Sequence, residues 1–233
     1  MSLFQPHTLT CPSCAALTPV EAVNTVNADR RPDLKQAIAE GTFQVFPCSA
    51  CEAPIRLEPL FNYLEVGASL WLAAYPARRM PDYLEVEDDV SAVFAETYGD
   101  GAPPVAQGIG EGLNVRLTFG WPAAREKLLL RANDIDDTLA ELLKLDVLRR
   151  LPEAPLEPGI ELRVTDVSDD RITMQWVDAE SEEVIDELAV ARALLDEIAL
   201  SPEAWAPVRA QLENGPFVDM QKLYMGQGRA AAE

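Results

Sequence analysis

The sequence predicts an α+β fold in two parts: a small N-terminal β domain with a short helical insertion, then an acidic region of mixed helices and strands. Two observations carry this. The only four cysteines fall as two pairs, Cys11-Pro12-Ser13-Cys14 and Cys48-Ser49-Ala50-Cys51, with 33 residues between them. Two C-x-x-C pairs with no cysteine elsewhere read as one tetrahedral four-cysteine metal site, so the first domain is expected to be zinc-ribbon-like. The charge is divided as well. Residues 1–80 carry 6 Lys/Arg against 7 Asp/Glu, whereas residues 81–233 carry 13 against 32, within a formal net charge of −20. A boundary is expected at residue 78, giving domains 1–78 and 79–233. Pro76 and Pro81 flank a short basic stretch there.

In the first domain, residues 18–26 (TPVEAVNTV) form a strand. Pro32 suits the first turn of a short helix that Gly41 stops. Residues 43–46 alternate into the second cysteine pair, and residues 54–60 and 69–75 are further strands. Between those two, FNYLEVG is expected to be a turn or a short helix. Residues 87–98 (EDDVSAVFAETY) form a helix with acids in its first turn. Residues 99–112, rich in glycine and proline, are expected to be a loop. The strictly alternating LNVRLTF (113–119) is a strand. Two helices follow, over 121–132 and 136–151, the second with Leu139, Leu142, Leu143, Val147 and Leu151 at helical spacing. Residues 160–167 and 171–177 form a hairpin around Ser168-Asp169-Asp170, and residues 183–190 a third strand that passes into a helix near 194–198. Ser201 caps a further helix with Pro202 in its first position, and residues 226–233 fray.

The C-x-x-C spacing lets both thiolates of a pair turn toward one ion, and backbone N–H groups in the turn can donate to sulfur. Four protein ligands leave no open position, so one zinc would be structural and would not activate water. An iron site, a redox pair and disulfides are the competing readings. Two knuckles favour zinc or a single iron, no βαβ frame surrounds either pair, and disulfides need an oxidising compartment. Residues 1–10 lack the charged and apolar regions of a signal peptide, and no apolar run reaches the ~18–20 residues needed to span a bilayer. The expected compartment is therefore the cytoplasm.

The stretch from Leu9 to Tyr75 resembles the CpXC domain family. The residues that carry the resemblance are LTCPSC, NADRRPDLKQAIAEGTF, QVFPCSAC, IRLEPLFNY and LWLAAYP, and it extends more weakly through residues 113–145 to about residue 150. It implies that Cys11, Cys14, Cys48 and Cys51 are the four motif cysteines. Ser49 stands where proline is often found, and Ala15 and Glu52, rather than glycine, follow the pairs. The resemblance implies no biochemical activity.

Other chemistry is thinly represented. His7, the only histidine, is expected to be a mobile N-terminal residue rather than an alternative ligand, and a single histidine leaves little material for histidine-based catalysis. Asp134, Asp136 and Asp137 are expected to cap a helix, and Glu180, Glu182 and Glu183 to form a solvated run. Gly108-Ile109-Gly110-Glu111-Gly112 lacks the lysine and the preceding strand of a phosphate loop. Trp71, Trp121, Trp176 and Trp205 are expected in the core, and Arg30, Arg31, Arg78 and Arg79 as scattered surface charge. The leading expectation is a non-catalytic, zinc-stabilised interaction or scaffold protein with a protein partner and no membrane association. One alternative is nucleic-acid or transcription-associated binding through the ribbon, which the −19 of residues 81–233 disfavours. The other is an enzyme with an acidic site in the second domain.

Overall fold

The computed structural model describes residues 2–155 and 157–225; the expected frayed tail lies outside them. Strand β1 (Leu3–Thr10) runs antiparallel to β2 (Leu17–Asn27), and the first cysteine pair is their turn. Helix α1 (Pro32–Ala39) and the short hairpin of β3 (Val45–Pro47) and β4 (Pro54–Arg56) follow, with the second pair in the hairpin turn. Strands β5 (Phe61–Glu65) and β6 (Leu70–Tyr75) then return to the first sheet. A 3-10 turn (Ala77–Asp82), α2 (Tyr83–Tyr98) and α3 (Pro104–Gly110) lead to β7 (Asn114–Phe119), which pairs parallel with β6. The five-stranded order is β1-β2-β5-β6-β7, so this sheet continues past residue 78.

Two elements differ from expectation. FNYLE is a strand, β5, and not a turn or helix. Phe61 and Tyr63 alternate into the core while the strand pairs with both β2 and β6. The segment 99–112 is not all loop, because Pro104 opens the single helical unit α3. Gly110 fits there because a Cβ would meet the Tyr98 Cβ at 2.7 Å. Strand β1 escapes a reading by pattern, because Pro6 and scattered polar residues hide its alternation.

Helices α4 (Gly120–Ala132) and α5 (Asp137–Arg150) precede the hairpin of β8 (Ile160–Val167) and β9 (Arg171–Asp178), to which β10 (Val184–Ala191) adds an edge. Helices α6 (Ala193–Ala199), α7 (Pro202–Leu212) and α8 (Gln221–Tyr224) complete the chain. Ser201 occupies the N-cap position of α7 but makes no side-chain cap bond.

Strand β6 is an apolar run buried on both faces, as a strand in mid-sheet requires. Leu70, Leu72 and Ala74 pack with Phe43, Phe61 and Trp121 on one side. Trp71 and Ala73 pack with Tyr83, Val86 and Phe217 on the other. A third cluster joins α5, α6 and α7 to Leu162, Val164, Met174 and Trp176 of the second sheet. All four tryptophans are core residues. Helix α4 lies between the sheets: Trp121, Ala124 and Leu128 face β5 and β6, while Leu130 joins the β8–β9 core.

Candidate metal centre

The two cysteine pairs fold as near copies of one knuckle. In the first, the Cys11 N–H donates to Ala16 O at 2.9 Å and the Ala15 N–H to Cys11 O at 2.9 Å. In the second, the Cys48 N–H donates to Ala53 O at 2.9 Å and the Glu52 N–H to Cys48 O at 3.0 Å. The Ser13 N–H points at Cys11 Sγ and the Ala50 N–H at Cys48 Sγ, each at 3.4 Å. Closing each turn puts Ala15 at φ 59° and Glu52 at φ 61°, the left-handed region that favours glycine. These are the two positions that lack the glycine.

The hairpins bring the tips together. Cys11 Sγ lies 3.7 Å from Cys51 Sγ and Cys14 Sγ 3.6 Å from Cys48 Sγ, and all four sulfurs lie within 4.8 Å of one another. A tetrahedral ion with metal–sulfur bonds of ~2.3 Å places its ligands ~3.8 Å apart, so the sulfurs already have the spacing of one coordination shell. The four cysteines are positioned to bind a metal ion. Cys11 and Cys48 are buried beside Ile55, whereas Cys14 and Cys51 are exposed. His7 stands in strand β1 opposite Val20, exposed and outside this set.

The thiols cannot share this space equally. The N–H groups of Ala50 and Cys51, with the Thr18 hydroxyl, bring Cys48 down to about 6 despite desolvation. The Ala16 N–H favours the Cys14 thiolate, but the Cys51 and Cys48 sulfurs outweigh it and push Cys14 up to about 12. A divalent cation resolves that competition, because it binds all four as thiolates.

A family model described as CpXC protein matches residues 9–144, more than half of the chain. The chain belongs to the CpXC family. No curated protein and no solved structure matches it. The departure of this CpXC chain at Ser49 has a local counterpart in β2. The Ser49 N–H donates to Thr18 Oγ1 at 3.2 Å, and that buried hydroxyl also lies 3.7 Å from Cys48 Sγ. Proline would fix φ at this position; here a hydrogen bond from the neighbouring hairpin holds the knuckle instead.

The acidic half conceals a second cluster that the sequence reading missed. Five carboxylates (Glu126, Asp137, Glu141, Glu161, Asp219) and four cations (Arg116, Lys127, Lys144, Arg163) interlock inside the fold. Lys144 Nζ lies 2.7 Å from Glu126 and 3.0 Å from Glu141. Arg163 reaches Glu126 at 2.9 Å, Glu161 at 2.5 Å and Asp219 at 2.6 Å. Lys127 lies 3.2 Å from Asp137 and 3.5 Å from Glu141, and Arg116 lies 2.6 Å from Asp137. Backbone N–H groups complete the set, with Val164 donating to Glu126 at 2.6 Å and Met220 to Glu141 at 3.0 Å.

These environments separate the carboxylates. Burial pushes Glu161 up to about 7 in spite of Arg163, and its Oε1 has no hydrogen-bond partner. Burial also acts on Asp219, but the charges of Arg163 and Lys144 prevail and hold it at about 2. Asp136 caps α5 by accepting from the Leu139 N–H at 2.8 Å. Asp137 belongs to the buried network and is not a cap. Glu182 leaves the expected solvated run to pair with Arg56 and Arg125, each at 2.5 Å. Arg31, Arg78 and Arg79 form separate pairs with Asp33, Glu58 and Asp82. The cavity beside α4 touches only Glu126 and Arg163 of the network, and both spend their charges inward. This cluster neutralises itself and ties the C-terminal segment to the core. A helical Glu or Lys facing another buried helix looks, in sequence, like one facing water, which is why the cluster was not found.

Proposed function

We propose that this CpXC protein is a non-catalytic, zinc-stabilised protein-interaction or scaffold module. The observation that supports it best is the closed set of four thiol ligands at the tips of two hairpins. It offers the donors that a structural zinc takes and keeps no position for substrate or water. The knuckle tips, whose own apolar cluster is little more than Cys11, Cys48 and Ile55, would gain their order from such an ion, which leaves the surface around them available for recognition. The cytoplasm, where thiols stay reduced, is the compartment that suits this chemistry. Among the described residues no helix is long and apolar enough to cross a membrane.

The test is affinity purification of the native protein coupled to metal analysis. One zinc per chain and a co-purifying protein are expected. Stoichiometric iron would overturn the zinc assignment. Binding to nucleic acid with a steep salt dependence would overturn the protein-partner reading in favour of the ribbon as a nucleic-acid module.

A further inference from the structure

Two of the edge strands, β1 of the five-stranded sheet and β10 of the three-stranded sheet, differ in kind. Strand β1 carries Pro6, which has no N–H to offer a neighbour. Strand β10 contains no proline, and among the described residues its only strand partner is β9. On the alternation of an antiparallel ladder, every second residue of β10 turns its N–H and C=O away from β9. Ala189 and Ala191 are exposed along it, so small side chains leave that backbone within reach. One outward donor is already held: the Glu187 N–H donates to Asp186 Oδ1 at 2.8 Å.

At the start of β10 lies a cavity of about 290 Å³ between α1, α4 and the second sheet. Ala39, Pro122, Leu129, Val177 and Val184 give it largely apolar walls. Val184 lines it and is 50% exposed, as is its neighbour Ile185. Farther along the strand, Leu188 and Val190 are half-buried at the margin of the β8–β9 core, where the apolar layer stops at an open edge.

The charge of this edge identifies its occupant. Residues 180–191 contain five acids, Glu180, Glu182, Glu183, Asp186 and Glu187, and no Lys or Arg. Glu182 is engaged by Arg56 and Arg125, and the other four are exposed. A second copy would present the same acids and be repelled. A basic segment would be attracted, its backbone completing the ladder and its alternate side chains meeting the cavity and the acids.

We propose that β10 is a docking edge for an extended segment of a partner protein in which apolar and Lys/Arg residues alternate, with one apolar side chain filling the cavity beside Val184. This rests on the interaction reading above.

The probe is a labelled eight-residue peptide of alternating valine and lysine, titrated into the full-length metal-loaded protein at about 0.15 M salt. The same peptide with one central valine replaced by proline is the control. We expect saturable binding of the alternating peptide only, with new amide-exchange protection confined to residues 184–191. Ala189→Pro removes an edge donor and Val184→Trp fills the cavity. Each should weaken binding at least ten-fold while the melting profile is retained, and the second variant decides the matter if the first fails to fold. Equal binding by wild type and both variants, equal binding of the proline control, or protection outside β10 would show attraction to the general negative field and overturn the proposal. So would no binding. Native affinity purification with wild type and Val184→Trp separates this proposal from the reading it rests on. A partner retained equally by both overturns the β10 site and leaves the interaction reading standing. A wild type that captures no partner overturns both.

Discussion

The knuckle tips and the α4–β8 core solve opposite problems of charge. At the tips, four thiols crowd within 4.8 Å and, among the described residues, no cationic side chain joins them, so ionising all four together calls for an external ion. In the core, eight charged side chains are removed from water and, with the partly buried Arg116, compensate one another. Buried ion pairs add little net stability against apolar residues of the same volume, but breaking one leaves an unpaired charge where water cannot reach it. The first region is therefore expected to depend on a ligand from outside, the second on the integrity of its own set.

The sharpest way to break the comparison is to remove one ligand. Cys11→Ser should abolish stoichiometric metal binding, which in small zinc domains contributes ~10 kcal/mol or more. Amide exchange should then show β1–β4 deprotected while the β8–β9 core keeps its protection. A folded variant that retains a full equivalent of metal would refute the four-cysteine assignment.

Next in size is Arg163→Met, which takes the cation from Glu161 and Asp219 at once and leaves Glu126 to Lys144 alone. Denaturant unfolding should show a loss of about 3–5 kcal/mol with metal content unchanged. Equal destabilisation of the metal site would contradict the independence of the two regions.

The third contrast is pH. Glu161 is raised to about 7, so the folded protein holds this proton above the ordinary glutamate pKa of ~4.3. Unfolding releases it, and stability should fall as pH rises from ~4.3 through about 7, by on the order of 3 kcal/mol. Glu161→Gln should flatten that slope. Asp219 acts in the other direction: held at about 2, it contributes stability above its unfolded value of ~3.9 that is lost as pH falls toward about 2. Melting curves of Glu161→Gln and Asp219→Asn across pH 2–8 would separate the two, and an unchanged slope in Glu161→Gln would exclude it as the titrating group.

The smallest effect belongs to the knuckles. Ala15→Gly and Glu52→Gly relieve left-handed backbone and should each stabilise the metal-loaded protein by ~0.5–1 kcal/mol, read as a shift in thermal midpoint. A loss of stability in both would show that the strain is compensated locally.

Local spacing made the ligand set and most elements legible. Cys11, Cys14, Cys48 and Cys51 announce themselves because a knuckle brings its two sulfurs together within four residues. The leucine rhythm of α5 and the alternation of β7 and β8 announce themselves because side-chain period follows backbone geometry. The misreadings arose where a neighbour from afar decided the outcome. Phe61 and Tyr63 form a strand because β2 and β6 flank them.

By itself, then, the sequence determined the set of four cysteines, the knuckle that each pair forms and the division of charge along the chain. Only the tertiary structure decided that Thr18 reaches across to hold the Ser49 knuckle, and that Glu126, Lys144, Arg163 and Asp219 meet in the core. It alone left β10 open beside a cavity. Ligand spacing is fixed within a few bonds of backbone, whereas the environment of a charge or a strand edge is set by whatever distant segment packs against it.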